Sequence, residues 1–403
     1  MTTQRLFATT GSCFTDHYEH FGELPHLTRG DLVRRLNEAG LTGRGGAGFP
    51  TGRKIDSVRG RRPVVIGNGA EGEPLSAKDV TLLARAPHLV VDGLTIVANA
   101  LAAQSVYLYV PAQASGDVQI ALRERGEAAA NRSRITVVEA PDDFLAGEES
   151  AVVSRIEGGP ALPRDQTALT TRSGVRGRPT LVSNVETFAH VALIGRYGAD
   201  WFRDVGDTAH PGTMLATVSG TFTPTTVLEI PTGISLRDIV SRSNTATPQR
   251  LQAVLVGGYH GSWIPANVIG QSRMSPSGLA EFGAAPGAGV LHLLGEQECG
   301  LARTADVAAY LADQSARQCG PCRYGLPRLS TLLDELAFGR VDDHLIDEVH
   351  RMVGLVDGRG SCRHPDGAAR FVRSALAVFE ADIAAHRDGC CAAVPTASVG
   401  EVR

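Results

Sequence analysis

Three cysteines carry the most specific chemical signal in this chain: Cys319 and Cys322 in SARQCGPCRYG, Ser315–Gly325, and Cys362 in GSCRHPDGAA. A Cys-x-x-Cys pair enclosing Gly-Pro has the letters of a thioredoxin redox site, and the same spacing also serves metal ligation. The pair is a redox dithiol, part of a metal site, or neither. A second signal lies in LTGRGGAGFPTGRK, Leu41–Lys54, with five glycines and the cations Arg44, Arg53 and Lys54. Glycines let backbone N–H groups approach an anion and nearby cations add charge, so the loop suits a phosphate-bearing ligand or, failing that, is a flexible surface loop. It matches neither the P-loop nor the GxGxxG pattern.

Acidic turns accompany this loop: NGAEGEP, Asn68–Pro74, follows the strand-like PVVIGN, and GEES spans Gly147–Ser150. Glu71, Glu73, Glu148 and Glu149 suit a ligand that also offers hydroxyls and ring N–H groups, as a nucleotide or flavin does; solvated turns are the plain alternative. Of 39 basic residues only Lys54 and Lys78 are lysines. A chain that otherwise uses arginine places a compact ammonium where a broad guanidinium would not fit.

The remaining composition narrows the function. The 403 residues are 43% hydrophobic and 20% charged, with net charge −4, as expected for a globular protein of two or three domains. No basic block or aromatic-basic stripe tracks a phosphate backbone, so nucleic acid is not an expected partner. The N-terminus lacks a basic region followed by a long apolar run, which points to the cytoplasm. The apolar stretch Leu89–Val110 carries Asp92, Asn99 and Gln104 and reads as a helix followed by a buried strand, without direct membrane insertion. Seven cysteines, an odd number, disfavour a disulfide framework.

The elements that must position these residues follow from periodicity. Residues 1–205 alternate helices and strands: DLVRRLNEAG, PVVIGN, one long helix from Ser76 to about Gln104, SVYLYV, DVQIALRERGEAAA and ITVVEA. Such alternation gives a largely parallel sheet with its crevice at the carboxyl ends of the strands. Residues 214–270 hold short strands, MLATVSGTF, TTVLEI and LQAVLVGG, around the helix SLRDIVSRS, a small β-grasp pattern. Residues 300–390 are helical, four helices with short connections, and Cys319 and Cys322 fall in the first connection.

GRGGAGFPTGRK, NGAEGEP with Lys78–Asp79, GEES followed by Ile156-Glu157-Gly158, and SNVETF at Ser183–Phe188 occur in the order and approximate spacing of one family. Over residues 25–388 the chain resembles the flavin- and NADH-binding subunit of respiratory complex I, a module shared with NAD-linked hydrogenases and formate dehydrogenases. The resemblance implies an α/β fold class: a Rossmann-like parallel-sheet FMN domain, a small β-grasp (SLBB-like) domain and a C-terminal four-helix bundle with an iron–sulfur site. It implies FMN on the loop of Gly43, Arg44, Gly45 and Gly46, with Lys54 near its phosphate and Asn68 near its ring. Glu71, Gly147, Glu148, Glu149, Ser183 and Asn184 fall on flavin-site positions. Glu73 matches an acid near the nicotinamide nucleotide and Phe49 an aromatic that stacks on it. The implied activity is an NADH dehydrogenase-type transfer from NAD(P)H through FMN to an iron–sulfur cluster and on to a ferredoxin-like or thioredoxin-like [2Fe–2S] partner, with no side chain needed as general acid or base.

The family's cluster motif, Glu-Ser-Cys-x-x-Cys-x-Pro-Cys-Arg-x-Gly, meets Gln314-Ser315-Ala316 here, so Cys319, Cys322 and Cys362 supply three ligands and Ala316 replaces the first. The thioredoxin reading is weaker because a helical run precedes the pair, and zinc would need a second pair nearby. Three thiolates fit [3Fe–4S], or [4Fe–4S] with one iron held by water or another side chain, Cys299, His364, Cys390 and Cys391 being unranked candidates and Cys13 too remote. Ala70 stands where the family has Asp, and Ser57 and Leu169 where it has aromatics, which weakens NADH stacking. Ala70 and Ala316 favour the rival expectation, a non-catalytic scaffold or assembly subunit that keeps the fold without its cofactors.

Overall fold

The computed structural model describes residues 4–128, 135–165, 168–220, 223–243, 251–391 and 393. The ends of two expected elements, residues 129–130 of DVQIALRERGEAAA and 221–222 of MLATVSGTF, lie outside them. Helices α1 (Phe14–Phe21), α2 (Arg29–Ala39) and α3 (Thr51–Ser57) precede β1 (Val64–Asn68). Then come α4 (Lys78–Arg85), α5 (Pro87–Ala100), β2 (Ser105–Pro111), α6 (Ala112–Ala128), β3 (Ile135–Ala140), α7 (Glu149–Ile156), β4 (Thr180–Asn184) and α8 (Val185–Arg203). The four strands pair parallel in the order β3-β2-β1-β4 among the described residues. Strand order reverses between β1 and β4, so a crevice opens at their carboxyl ends, where Asn68 and Asn184 sit side by side in register.

The single helix expected from Ser76 to Gln104 is two helices bent by 93°. Pro87 begins α5, and the residue before a proline is driven out of the helical region, as Ala86 shows with φ −139° and ψ 49°. The bend lays α5 against the sheet, with Leu89, Val90, Leu94 and Val97 buried. Asp92, the charge in that apolar run, is buried and paired with Arg125 and Arg196 at 2.5 Å each and His17 at 2.8 Å. Among the described residues no single helix is long and apolar enough to cross a membrane.

Strands β5 (Thr213–Gly220) and β6 (Thr223–Pro231), helix α9 (Leu236–Arg242), and strands β7 (Leu251–Val256), β8 (Ser262–Pro265) and, beyond the short α10 (Pro276–Leu279), β9 (Val290–Gly295) build a second sheet, ordered β6-β5-β9-β7-β8. Two antiparallel hairpins flank the parallel β5–β9 pair, and α9 buries Leu236, Ile239 and Val240 against the sheet: a β-grasp. Its middle strand, β9, comes from residues 290–295, past the 214–270 segment read from the sequence, because a long connection separates β8 from β9.

The helical region holds α11 (Gly300–Asp313), α12 (Leu326–Phe338), α13 (Asp343–Val356), α14 (His364–Val378) and α15 (Glu380–Arg387). The run expected as one final helix breaks at Phe379, giving α14 and the short α15. Trp263 of β8, 1% exposed, packs on Phe371 and Phe379 and donates its backbone N–H to Ser374 Oγ at 2.9 Å, seating the bundle on the β-grasp sheet.

Candidate functional site

A cavity of about 800 Å³ opens at the carboxyl ends of β1 and β4 and extends to the β-grasp module and the bundle. Gly43, Gly45, Gly46, Phe49, Lys54, Asn68, Glu71, Glu73, Gly147, Glu148, Glu149, Ser183 and Asn184 all line it. Arg44 does not. Its guanidinium is buried behind the loop, donating to Thr42 Oγ1 at 3.3 Å and the Thr213 carbonyl at 3.0 Å, with Glu186 4.0 Å away. Burial pulls its pKa down against the Glu186 charge. Arg44 thus fastens the loop to the β-grasp module, and Lys54 is the cation the loop turns toward the cavity.

Most polar side chains around the crevice are already committed. Asn68 donates to the Gly147 carbonyl at 2.8 Å and accepts from Ala70 N–H, tying the loops after β1 and β3 together. Glu71 accepts from Ser76 Oγ and from the N–H groups of Asp79 and Val80 at 3.0 and 3.2 Å, closing the start of α4. Glu148 caps α7 through Ser150 and Ala151 N–H, and Asn184 caps α8 through Glu186 N–H. Lys54 pairs with Glu149 at 3.3 Å, both partly exposed.

Lys78 is 2% exposed and has its Nζ 2.6 Å from Asp79, 2.9 Å from Glu186 and 3.3 Å from Asn184 Oδ1. Burial lowers the lysine's pKa, but Asp79, Glu186 and Glu71 outweigh it and hold the ammonium above its usual range. Asn184 also donates to Asp79 Oδ2 at 2.6 Å, so the cluster pins the β4–α8 turn beneath the cavity.

The glycine loop leaves room, and one donor beside it is unspent. Gly46 has φ +105°, a left-handed conformation that brings the backbone to the cavity edge. Thr51 Oγ1, buried on the wall beside Lys54, has no hydrogen-bond partner. An anionic group is the missing acceptor such a hydroxyl and ammonium suit, and the residues present fit a flavin phosphate. Across the cavity Glu73 accepts Tyr259 N–H at 2.7 Å and Leu75 N–H at 3.3 Å. Burial pushes its carboxyl up to about 7, against those two donors and with help from Glu71. Gly258, at φ +87°, permits this contact, since a Cβ there would lie 2.3 Å from Glu73 Oε2.

The bundle wall presents Cys362, His364 and Arg370 to the same cavity. Cys319, in the turn before α12, lies within interaction range of Cys322 and Ser361, while Cys362 lies within electrostatic reach of both thiols. Cys322 itself sits in a π-helical turn, Pro321–Gly325, continuous with α12, rather than in the connection. Burial pushes the Cys322 thiol up to about 12 and raises Cys362. Three thiols gathered at one point fit an iron–sulfur core, with one ligand fewer than a four-iron cluster takes.

The unranked fourth-ligand candidates do not supply it. His364 donates Nε2–H to the Leu311 carbonyl at 2.8 Å and accepts at Nδ1 from His260 Nε2 at 3.0 Å, so both nitrogens are used. Cys299, Cys390 and Cys391 lie toward the far end of α11, beside α15. Nor do the two expected stacking positions line the cavity: Ser57 Oγ donates to the Lys54 carbonyl at 2.7 Å and Leu169 is 67% exposed. Thr51 and the His260–His364 pair escaped sequence reasoning; Thr51 follows the quoted FP dipeptide, but nothing local marks His260.

A parallel-sheet crevice with a glycine loop, joined through a β-grasp module to a thiol-bearing bundle, defines a flavin and iron–sulfur electron-transfer protein. Residues 36–193 match the model of the Nuo51 FMN-binding domain, and residues 302–386 that of the NADH-ubiquinone oxidoreductase-F iron-sulfur binding region, together more than half of the chain. The chain belongs to the family of NADH-quinone oxidoreductase F subunits. It is 28% identical over 384 residues to the F subunit 2 of the Rhizobium meliloti (strain 1021) NADH-quinone oxidoreductase, covering 90% of each chain. It is 29% identical to the F subunit of the Streptomyces coelicolor enzyme, covering 92% of this chain and 86% of that one. The H2-reduced crystal structure of an NAD+-reducing [NiFe]-hydrogenase superposes with TM-score 0.80 at 27% identity over 90% of this chain. The chain spans 62% of that hydrogenase chain's length.

Proposed function

We propose that this chain is the flavin-bearing subunit of a larger redox assembly, taking electrons from NAD(P)H and delivering them to an iron–sulfur cluster. One observation carries the reading: a single cavity has the glycine loop and Lys54 on one wall and Cys362 on another. Bound FMN would supply the conversion between two-electron and one-electron chemistry. The protein's part is positioning. Gly43, Gly45, Gly46 and Gly147 keep the cavity open to a planar ring system, Lys54 with Thr51 Oγ1 receives the phosphate, and Asn68, Ser183 and Asn184 fix the strand ends beneath it. Glu71, Glu148 and Glu149 hold the surrounding turns. Glu73, near half protonation at neutral pH, and Phe49, 53% exposed, face the nucleotide's approach.

Cys319, Cys322 and Cys362 hold the cluster, with solvent completing the ligand set that Ala316 leaves short. In this reading the modules are the FMN and nucleotide domain over 1–205, the β-grasp domain and the iron–sulfur domain over 300–390. The acceptor is a small [2Fe–2S] subunit and the setting is the cytoplasm. Anaerobically purified protein should show flavin absorbance near 450 nm that bleaches on addition of NADH or NADPH, together with acid-labile sulfide. Flavin-free protein would instead support the scaffold reading, to which Ala70 and Ala316 belong.

A further inference from the structure

Among the described residues, the trio of histidine, cysteine or carboxylate groups whose ligand atoms all lie within 4.8 Å of one another is Cys299, His386 and Cys391. We propose that these three side chains form a zinc site, separate from the cluster cysteines and from the cavity. Cys299 Sγ and His386 Nε2 are 3.5 Å apart. Zinc bound at about 2.3 Å to sulfur and about 2.0 Å to nitrogen in a tetrahedron sets that edge at roughly 3.5 Å. Two thiolates and an imidazole are a donor set that zinc favours over the hard cations.

The local backbone is shaped for the convergence. After α15, Gly389 adopts φ +73°, Gly389 N–H bonds the His386 carbonyl at 3.0 Å and Cys390 N–H reaches back to Ala385 at 2.9 Å. This left-handed helix end turns the chain so that Cys391 comes back to His386, with the four-residue gap common between zinc ligands. Cys299 occupies the N-cap of α11, and its Sγ accepts Ala302 N–H at 3.4 Å, an outer-sphere contact that fixes the sulfur. The two segments are pressed together nearby: a Cβ on Gly300 would meet the Phe379 ring at 2.3 Å.

Cys299 and Cys319 flank the 14 residues of α11, a helix about 21 Å long, so the zinc site cannot supply the cluster's missing ligand. None of its three residues lines the cavity. Each thiol releases its proton to solvent as the metal binds, and water takes the fourth position. The site clamps the chain's last described helix to the segment leaving β9. It therefore has a stabilising role, with no part in electron transfer.

The test is metal analysis of the full-length protein, purified anaerobically and offered one equivalent of zinc. About one zinc per chain is expected, retained in Cys319→Ser, which cannot hold the cluster, and lost in Cys391→Ser and in His386→Gln with iron content unchanged. Cobalt in place of zinc should give the parent a thiolate-to-cobalt charge-transfer band that is absent in Cys391→Ser. Chelation should lower the melting temperature of the parent but not of His386→Gln. A parent that takes up no zinc, zinc retention in both site variants, or an intact mass two hydrogens short that maps to a Cys299–Cys391 disulfide would each overturn the proposal.

Discussion

The α/β wall and the bundle wall of the cavity meet a ligand in opposite conditions. On the α/β wall Asn68, Glu71, Lys78, Glu148 and Asn184 already have protein partners, so the wall is a finished shape. On the bundle wall Cys362 lines the cavity, with Cys319 and Cys322 within its electrostatic reach. The difference separates two ways of building a cofactor site: one recognises by form and keeps its charges neutralised beforehand, the other gathers metal-ligating thiols at one point.

The largest effect should come from breaking the finished wall. Lys78→Met leaves Asp79 and Glu186 buried without their cation and should cost about 3–5 kcal/mol, read as a lower denaturant midpoint at unchanged slope. A variant as stable as the parent would show that the cluster is solvated. Cys362→Ser should behave oppositely, losing iron and sulfide entirely while the midpoint of the metal-free protein moves by less than about 1 kcal/mol. Ala316→Cys should add a ligand, retain a four-iron form and lower its potential, since a further thiolate adds negative charge; an unchanged potential would place residue 316 away from the cluster.

Glu73 tests the pH side of the same contrast. Its folded pKa near 7 exceeds the ordinary 4.5, so its contribution to stability is full below 4.5 and lost as pH rises through 7. Glu73→Gln should flatten the stability profile between those values, by on the order of 1–3 kcal/mol across the window. A profile that keeps its slope assigns the titration elsewhere. The smallest effect is expected at Lys54→Arg, where charge is kept and shape changed: flavin should dissociate several-fold faster, measured by fluorescence recovery on dilution.

Much of this contrast is legible in the sequence, because glycine runs, acidic turns and paired cysteines are local. The parallel sheet follows from alternating periods, and of the two lysines Lys78 marks a position with little room. What escapes is non-local. Arg44 sits in the glycine loop and reads as a ligand cation, yet Thr213 and Glu186, more than a hundred residues away, draw it to the back of the loop. Strand β9 joins its sheet from beyond a long connection, and no period in the chain announces that. Pro87 does signal the α4–α5 bend and is outweighed by the continuous apolar run. Glu71 and Glu148 read as ligand-facing acids, but each closes a helix start, a role the Ser and Asp that follow them could have suggested.

The cavity wall begins at Gly43 and ends at Arg370 in a chain of 403 residues. A ribosome therefore releases the glycine loop long before the segment that faces it, and for most of synthesis the nascent chain carries half a binding site. Contacts of such long sequence separation form late. In the proposed reading, retention of the flavin is then a record that translation reached the bundle: products broken off before Cys362 carry the glycine loop but lack the opposing wall.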